Sequence, residues 1–369
     1  MAKNNVNEIS CPACGAPMKF DAASGKMLCE WCGTTMDIEP KSEETSDAPK
    51  TSDSEKEVLE GFDFASLGDQ AQDPDAEDVP IYHCKSCGAE LIAPPEQMSM
   101  SCPYCGSNVV LTQKVSGKLR PDGLIPFKID AKSLPDHMKK YYRDKVLLPR
   151  KFFSESTMGK ITGVYVPFWV FSGNISGSLS YRGEKVSSSR EGDYIVTTTS
   201  EYDAERDVSM NFENVPVDAS GKIKDELMDS IEPFDMSSVV DFDMRYLAGF
   251  VADRFDEAGD SIADRAKKRM FQTAESAVQS RISGYTSVRK QGGHLTADIK
   301  ARYLLFPVYR FKIRFDKKKY EFAVNGQTGK VVGTLPTDRN VCIRYYVTHA
   351  LYALVPVVGA FVAWYLMGR

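Results

Sequence analysis

Histidine is scarce in this chain of 369 residues, with only four, at positions 83, 137, 294 and 349. Four scattered imidazoles leave little material for a histidine metal site or for a histidine general base. The motifs G-x-S-x-G, H-E-x-x-H and G-x-G-x-x-G are also missing. The sequence therefore gives no support to the hydrolase, zinc-protease and dinucleotide-binding classes, and we predict that the protein is not an enzyme.

A phosphate-binding loop is missing as well, although residues 326–333 read GQTGKVVG. The pattern G-x4-G-K-[ST] needs a glycine where Val324 stands and a hydroxyl residue where Val331 stands. Asn-Gly and Thr-Gly pairs are typical of turns. The segment is therefore predicted to be a turn between two strands.

Cysteine is present in a repeated pattern. Eight of the nine cysteines form four CxxC pairs, each followed by glycine, and fourteen residues separate the two pairs of each half. A CxxC pair lets one tight turn present two thiolates to a tetrahedral ion, and the glycine suits a turn with positive φ. The spacing predicts two ribbons, each holding one structural Zn²⁺ through four ligands. The ligands are Cys11, Cys14, Cys29 and Cys32 in the first ribbon, and Cys84, Cys87, Cys102 and Cys105 in the second.

Other interpretations of these cysteines have less support in the sequence. A disulfide framework needs an oxidising compartment, and the chain begins without an apolar signal segment. A redox CxxC is typical of a βαβ setting, and a catalytic zinc keeps one position open. His83 stands beside Cys84 as an alternative ligand, but a plain surface histidine is the favoured interpretation. The ninth cysteine, Cys342, is either a silent buried thiol or a site of reversible acylation.

Charge is missing from residues 347–367, which read VTHALYALVPVVGAFVAWYLM. A helix of this length spans about 31 Å, close to the thickness of a bilayer core. Tyrosines at 345 and 346 and aromatic residues at 364 and 365 flank it, as interfacial belts do. We expect a single-pass anchor at the cell membrane, with the N-terminal bulk in the cytoplasm. The alternative is a buried helix of a soluble core.

The net charge of −5 is unevenly distributed. Residues 37–79 contain fifteen acidic and three basic residues, so the rest of the chain is positive. Such a polar segment cannot bury enough apolar surface to fold. The predicted organisation is a multidomain α+β protein with the following parts: ribbon 1 at 1–38, a disordered acidic linker at 39–79, ribbon 2 at 80–115, an α+β domain at 118–338 and a transmembrane anchor at 341–369.

The α+β domain shows signs of internal duplication. One helix is predicted over residues 134–148, with Asp130 and Ser133 as caps, and a second over residues 244–282. The apolar stripe of the second helix consists of Phe255, Ala258, Ile262, Ala266, Met270, Ala274, Ala277 and Ile282. Each precedes an aromatic strand segment, GVYVPFWVFSG in one case and RYLLFPVYRFKIRF in the other. Residues 309–315 and 319–324 alternate in polarity, which predicts an antiparallel pair with one wet face. A duplicated unit of helix and antiparallel sheet is therefore expected.

The order of these parts resembles a group of bacterial zinc-ribbon membrane proteins. The resemblance is carried by the CPxCG ribbons, by VYVPFW and by VNGQTGKVVG before an apolar C-terminal end. Members are often labelled by similarity to a replication-restart helicase, but this chain has no Walker motif. The resemblance implies partnership with SPFH-domain (flotillin-like) proteins and with phage-shock-type membrane-stress proteins.

Three functions are open at this point. The first is a membrane-anchored adaptor in which the zinc ribbons recruit protein partners. The second is nucleic-acid binding, which the acidic linker and the few lysines of the ribbons disfavour. The third is a ligand sensor or enzyme in the central domain. Its aromatic residues Phe168, Trp169, Phe171 and Tyr181 would line a pocket, although packing in the core of a sheet is the favoured use of these side chains.

Overall fold

The computed structural model describes residues 6–7, 9–38, 81–84, 90–92, 97–102, 107–111, 120–149, 151–152, 157–221, 225–256 and 259–367. The predicted acidic linker, Cys87 and Cys105 lie outside these residues. The described strands are β1 (Val6–Asn7), β2 (Lys19–Asp21), β3 (Lys26–Leu28), β4 (Thr35–Met36), β5 (Ile81–His83), β6 (Glu90–Ile92), β7 (Gln97–Ser101), β8 (Asn108–Leu111), β9 (Gly123–Leu124), β10 (Thr157–Met158), β11 (Thr162–Glu191), β12 (Tyr194–Asp218), β13 (Val240–Asp241), β14 (Val251–Asp253), β15 (Ser287–Phe315), β16 (Lys318–Asn325) and β17 (Val331–Gly333).

The described α-helices are α1 (Leu134–Arg143), α2 (Asp225–Ile231), α3 (Gly259–Arg281) and α4 (Arg339–Met367). Short 3₁₀ turns cover Ala131–Ser133, Met236–Ser238 and Met244–Leu247. The chain thus has the predicted α+β character with a C-terminal helix. The predicted internal duplication stays a prediction, although its two aromatic segments lie on neighbouring strands, β11 and β15.

One twelve-stranded sheet organises the molecule, with the order β1-β8-β7-β14-β11-β15-β16-β17 along its main path. Strand β12 pairs with β11 beside that path, and β9, β10 and β13 add short edges. Two separate small sheets hold β2-β3-β4 and β5-β6. The central pair, β11 and β15, is antiparallel and runs in register from Thr162 opposite Arg310 to Glu184 opposite Ser287.

The aromatic run of β11 is buried on both faces of the sheet. Its even positions, among them Phe168, pack with Phe306 and α2 on one face. Its odd positions, among them Trp169, pack with Tyr303 and Phe255 on the other. A strand buried on both faces reads as a continuous apolar run, which explains why the segment shows no alternation. The four aromatic residues proposed as pocket lining are part of this packed core.

Beyond the core the long strands continue as a projecting β-sheet, which we call the finger. It consists of residues 172–213 of β11 and β12 together with residues 287–301 of β15. The thirty residues of β11 span about 100 Å at ~3.3 Å each. Helix α3 covers one face of the finger, where Ile175, Leu179 and Tyr181 are buried. The opposite face is polar, and beyond Glu184 only the β11–β12 ribbon continues to a turn at Gly192.

Helix α3 is shorter than the predicted helix of residues 244–282. Its predicted apolar stripe is confirmed at Ile262, Ala266, Met270 and Ala274, all of them buried. The predicted start at residue 244 was wrong, because the chain turns at Gly249 (φ +100°) and then forms β14, which pairs with β7 and β11. Asp243 caps the preceding 3₁₀ turn by accepting the backbone N–H of Arg245 at 2.8 Å.

Three smaller predictions concern helix α1, its caps and one antiparallel strand pair. Helix α1 begins at Leu134 but ends at Arg143, before the predicted end at 148. Asp130 accepts the N–H of Lys132 at 3.1 Å, as a cap should, whereas the side chain of Ser133 caps nothing in α1. The antiparallel pair of residues 309–315 and 319–324 is confirmed as β15 and β16.

The segment that resembles a phosphate loop is a buried turn. The carboxamide oxygen of Asn325 accepts the N–H groups of Gln327 and Thr328 at 2.9 and 3.0 Å. Its amide group donates to the carbonyls of Ile231 and Pro233, both at 3.2 Å. The turn prediction is therefore confirmed, and the turn connects β16 and β17 while binding the segment after α2.

Both segments that were predicted to be ribbons contribute strands to the central sheet. Strand β1, at the start of the first segment, pairs with β8 of the second, and β7 of the second segment pairs with β14 of the central domain. The sequence predicted two ribbon modules separated by a linker. It could not predict their pairing with the central domain, because strand pairing between distant segments leaves no local signal. In the structure, β1, β7 and β8 belong to the central sheet, whereas β2-β3-β4 and β5-β6 form two small sheets of their own.

An ionic cluster ties α3 to the base of the finger. Arg265 binds the carboxylate of Asp218, whose side chain is fully buried, and donates to Asp225 at 2.7 Å. Arg269 donates to Glu232 at 3.1 Å and to the carbonyl of Pro216 at 2.7 Å. The cluster fixes the angle at which the helix lies on the sheet.

Replacing Arg265 with methionine should destabilise the protein by about 3 kcal/mol, because it removes the guanidinium that is bound to the buried carboxylate of Asp218. Chemical denaturation followed by circular dichroism measures the loss. The matched control is Arg182→Met, which breaks a half-exposed pair with Glu201 and Asp203 and should cost less than about 1 kcal/mol. Equal losses for the two variants would contradict the importance of the buried pair.

Candidate metal centre and membrane helix

Four thiols of the first ribbon converge on one point. The sulfur atoms of Cys11, Cys14, Cys29 and Cys32 all lie within 4.8 Å of one another. The Sγ atoms of Cys11 and Cys32 are 3.6 Å apart, and those of Cys14 and Cys29 are 3.5 Å apart. A disulfide needs about 2.05 Å, whereas the edge of a ZnS₄ tetrahedron with 2.3 Å bonds is about 3.8 Å. The group fits a tetrahedral metal ion and not a pair of disulfides.

Two matching turns place these thiols. The backbone N–H of Cys11 donates to the carbonyl of Ala16 at 2.7 Å, and that of Cys29 donates to Thr34 at 2.9 Å. Each turn closes through a glycine with positive φ, Gly15 at +73° and Gly33 at +75°. A side chain with a Cβ is strained in that region, so the glycine after each CxxC pair is required by the turn. Strands β2 and β3 bring the two turns together.

The thiols do not ionise independently. The hydroxyl of Thr34 lies 3.1 Å from the sulfur of Cys32, and it and the Thr34 backbone N–H lower the pKa of Cys32 to about 6. At Cys14 a backbone hydrogen bond at Ala16 favours ionisation but is outweighed by the neighbouring thiols, which raise the pKa to about 12. Crowded thiolates repel one another, and a bound cation removes this penalty. The donor set therefore favours a divalent metal.

The second ribbon is described in part. Cys84 and Cys102 are buried in one small cluster with Tyr82, Leu91 and Val109. The N–H of Cys102 donates to the carbonyl of Ser107, five residues on, at 2.7 Å. This is the same turn-closing bond that Cys11 and Cys29 make in the first ribbon. The other two predicted ligands, Cys87 and Cys105, lie outside the described residues, so the structure brings together one pair of this set.

The first ribbon lies against the central domain. Phe20 donates its backbone N–H to Ala248 at 2.9 Å, and its ring packs edge-on against Tyr246 at 5.1 Å. Met18, Met27 and Cys29 belong to the same apolar cluster as the central core. Loss of the metal would therefore disturb more than the ribbon.

One side chain of the second CxxC turn of the first ribbon points into solvent. Trp31 stands between Glu30 and Cys32, in the second turn, and 81% of its surface is exposed. The two lysines of the β2–β3 hairpin are both ion-paired, Lys19 with Glu30 at 2.6 Å and Lys26 with Asp37 at 2.8 Å. The exposed surface of this ribbon therefore combines one large aromatic side chain with lysines that are paired with carboxylates.

The C-terminal helix α4 is long and apolar enough to cross a membrane, and it is the only such helix in the described part of the chain. Its most apolar stretch of 18 residues has a mean hydropathy of 1.7, and none of that stretch is buried against the protein. A buried core helix, the alternative prediction, would have its apolar surface covered by the protein, and this helix does not. Pro356 lies within the helix, as transmembrane helices tolerate.

A groove of mixed charge was missed by the sequence analysis. It has a volume of about 450 Å³ and is bordered by Lys160, Arg310 and Lys312, by the carboxylates of Asp253 and Glu321, and by apolar side chains. These cations come from different segments, and Lys312 is paired with Glu321 at 2.8 Å. The alternating polarity of residues 309–315 in β15 could have indicated the groove, because it predicted a solvent-exposed face that carries Arg310, Lys312 and Arg314 together.

Comparison with known proteins gives a family but no activity. The chain is 35% identical over 337 residues to the uncharacterized protein YdjG of Bacillus subtilis strain 168, and the match covers 91% of this chain and 92% of that protein. The chain therefore belongs to the same family as YdjG. No protein-family model matches it, and no solved structure is similar to it.

Replacing Cys14 with serine should remove one metal ion per chain and lower the melting temperature of the whole described domain by at least about 5 °C, because the ribbon packs on the core. Metal content by elemental analysis and melting by calorimetry measure the two effects. Cys342→Ser is the control, since that residue lies outside both cysteine groups, and it should change neither. An unchanged central transition in Cys14→Ser would show that the ribbon melts alone.

Proposed function

We propose that this protein is a membrane-anchored adaptor, in which two zinc ribbons recruit cytoplasmic protein partners. The observation that carries the proposal is Trp31, a large aromatic side chain that is 81% exposed on a metal-held turn. Exposed tryptophans on rigid supports are typical anchors of protein interfaces. The turn needs little ordering on binding, because the metal and the glycine turns already hold it.

The metal in this proposal is zinc, at two sites. Four sulfur ligands in a near-tetrahedral arrangement are characteristic of structural zinc. Cys11, Cys14, Cys29 and Cys32 hold the first ion, and the shared turn geometry at Cys102 supports a second ion on Cys84, Cys87, Cys102 and Cys105. A closed shell of four sulfurs leaves no position for a substrate, so the role of the ions is to support the fold.

Anchoring is assigned to α4, which crosses the cell membrane once with the bulk of the chain in the cytoplasm. The support is the unburied apolar surface of the helix together with the thiolate-rich ribbons, which suit a reducing compartment. Partner class follows from the resemblance described above, and we propose SPFH-domain or phage-shock-type proteins. Nucleic acid fits less well, because the ribbon lysines are already paired with carboxylates.

The test of the adaptor role is Trp31→Ala in the full-length protein. Truncating an interface anchor costs about 2 kcal/mol or more, so partner recovery should fall roughly thirtyfold. Cross-linked purification from native membranes, with quantitative mass spectrometry, measures recovery. Metal content should stay unchanged, which separates this variant from Cys14→Ser.

The matched control is Val146→Ala, an apolar side chain that is 62% exposed outside the ribbons. It should leave partner recovery unchanged. Full recovery of the same proteins with Trp31→Ala would remove the ribbon surface from the docking role. Recovery of nucleic acid and its binding proteins alone would favour the second function.

Deleting residues 339–369 should release the protein from membranes, because no other described helix has the length and hydropathy to span one. Extraction at alkaline pH, followed by sedimentation, separates integral from peripheral protein. The full-length chain should sediment and the truncated chain should not. A truncated chain that still sediments would show that the protein is held by something other than α4.

A further inference from the structure

The finger has two free edges. Among the described residues no strand pairs with the outer side of β12 along residues 194–215, or with the outer side of β15 along residues 287–301. Each edge presents a row of backbone N–H and C=O groups, and such edges readily accept a further strand. At the base both edges are closed, by Arg269 at Pro216 and by Asp122 at Tyr303.

The two edges carry opposite charge. On β12, five carboxylates and one arginine stand between positions 201 and 213, and on β15 three cations and one carboxylate stand between positions 287 and 301. Glu205 and Asp207 have no ion-pair partner among the described side chains, and the same is true of Arg289 and Lys300. One edge is therefore acidic and the other basic.

One pair of opposite charges stands at the same position along the two edges. Strand β11 lies between the edges, and its Arg182 is paired with Asp203 on one side and with Arg289 on the other. Ser178 is likewise paired with Asp207 and with His294. Directly opposed residues of antiparallel strands share a face of the sheet. Two fingers placed side by side at one height would bring Asp203 of one next to Arg289 of the other.

Strand direction is compatible with this placement. Because β12 and β15 are both antiparallel to β11, both run from the tip of the finger towards the body. Copies anchored in one membrane through α4 point the same way, so β12 of one copy meets β15 of the next as a parallel pair. This orientation rests on the anchoring part of the proposed function. The charge match between the edges does not.

We propose that copies of this chain assemble side by side, with the acidic β12 edge of one finger pairing with the basic β15 edge of the next. The contact joins unlike surfaces, so repeating it produces a ring or an open row. Pairing of two β12 edges is disfavoured because it would set carboxylates against carboxylates. The continuous sheet would present a polar face lined by Ser176, Ser178 and Ser180 of each copy.

Charge exchange between the edges tests the proposal in the purified full-length protein, in detergent micelles and without any partner. One variant carries Glu205→Lys with Asp207→Lys, a second carries Arg289→Glu with Lys300→Glu, and a third combines all four changes. Each double variant should associate more than about tenfold more weakly than the unmodified chain, whereas the combined variant should recover, because its edges are again complementary. Sedimentation velocity over a range of concentrations measures association.

Asp136→Lys with Asp144→Lys, on and beside the exposed face of α1, is the matched control for net charge and should associate as the unmodified chain does. Metal content and melting temperature confirm that each variant is folded. The proposal is overturned if the unmodified chain is a monomer at every concentration. It is also overturned if a folded combined variant stays as weak as the double variants.

Cross-linking locates the contact. Ser209 and Thr296 lie on opposite edges at one height, since both pair with Ser176, and both are exposed. A chain with Ser209→Cys and Thr296→Cys, treated with a short thiol-to-thiol reagent, should give a ladder of covalent oligomers. A ladder from Ser209→Cys alone would indicate β12–β12 pairing and would contradict the proposal. Trp31→Ala should leave the ladder unchanged, which separates assembly from partner recruitment.

Discussion

Strands β11 and β15 lie side by side from Thr162 and Arg310 in the body to Glu184 and Ser287 in the finger, and the other elements are arranged around this pair. It joins segments more than a hundred residues apart in the chain. On the body side it provides both faces of the core, with one cluster under α2 and the other under α3 and the first ribbon. On the finger side it carries β12 outward. Without this pairing the finger would have no third strand and the core no central layer.

The two CxxC turns of the first ribbon and the central sheet support each other. A ribbon with four cysteines has too few apolar residues for a core of its own, so a bound metal ion would contribute most of its folding free energy. Here Phe20 and Met27 extend the central core into the ribbon, and β1 and β7 tie the second ribbon segment to the first and to β14. The four-thiol group and the central sheet are therefore joined by core packing, and the exposed Trp31 lies on the turn that carries Cys32.

Sequence reasoning succeeded where the signal is local. The CxxC spacing identified Cys11, Cys14, Cys29 and Cys32, and the structure brings their sulfur atoms together. The stripe from Ile262 to Ala274 and the turn at Asn325 were also correct, since helical periodicity and Asn-Gly turns act over a few residues. The start of α3 was misplaced because β14 forms by pairing with β7, about 150 residues earlier, and no local pattern reports such a partner.

The amino-acid sequence by itself determined the thiol ligands, the apolar C-terminal helix and the alternation of the strands, because each follows from chemistry repeated at short spacing. Only the tertiary structure decided that the ribbons join the central sheet, that Trp31 is exposed, and that an acidic and a basic edge stand at equal height along the finger. Those properties depend on which distant strands pair and in what register. Register is set by the fit of side chains across the whole sheet, so it cannot be read from any one segment.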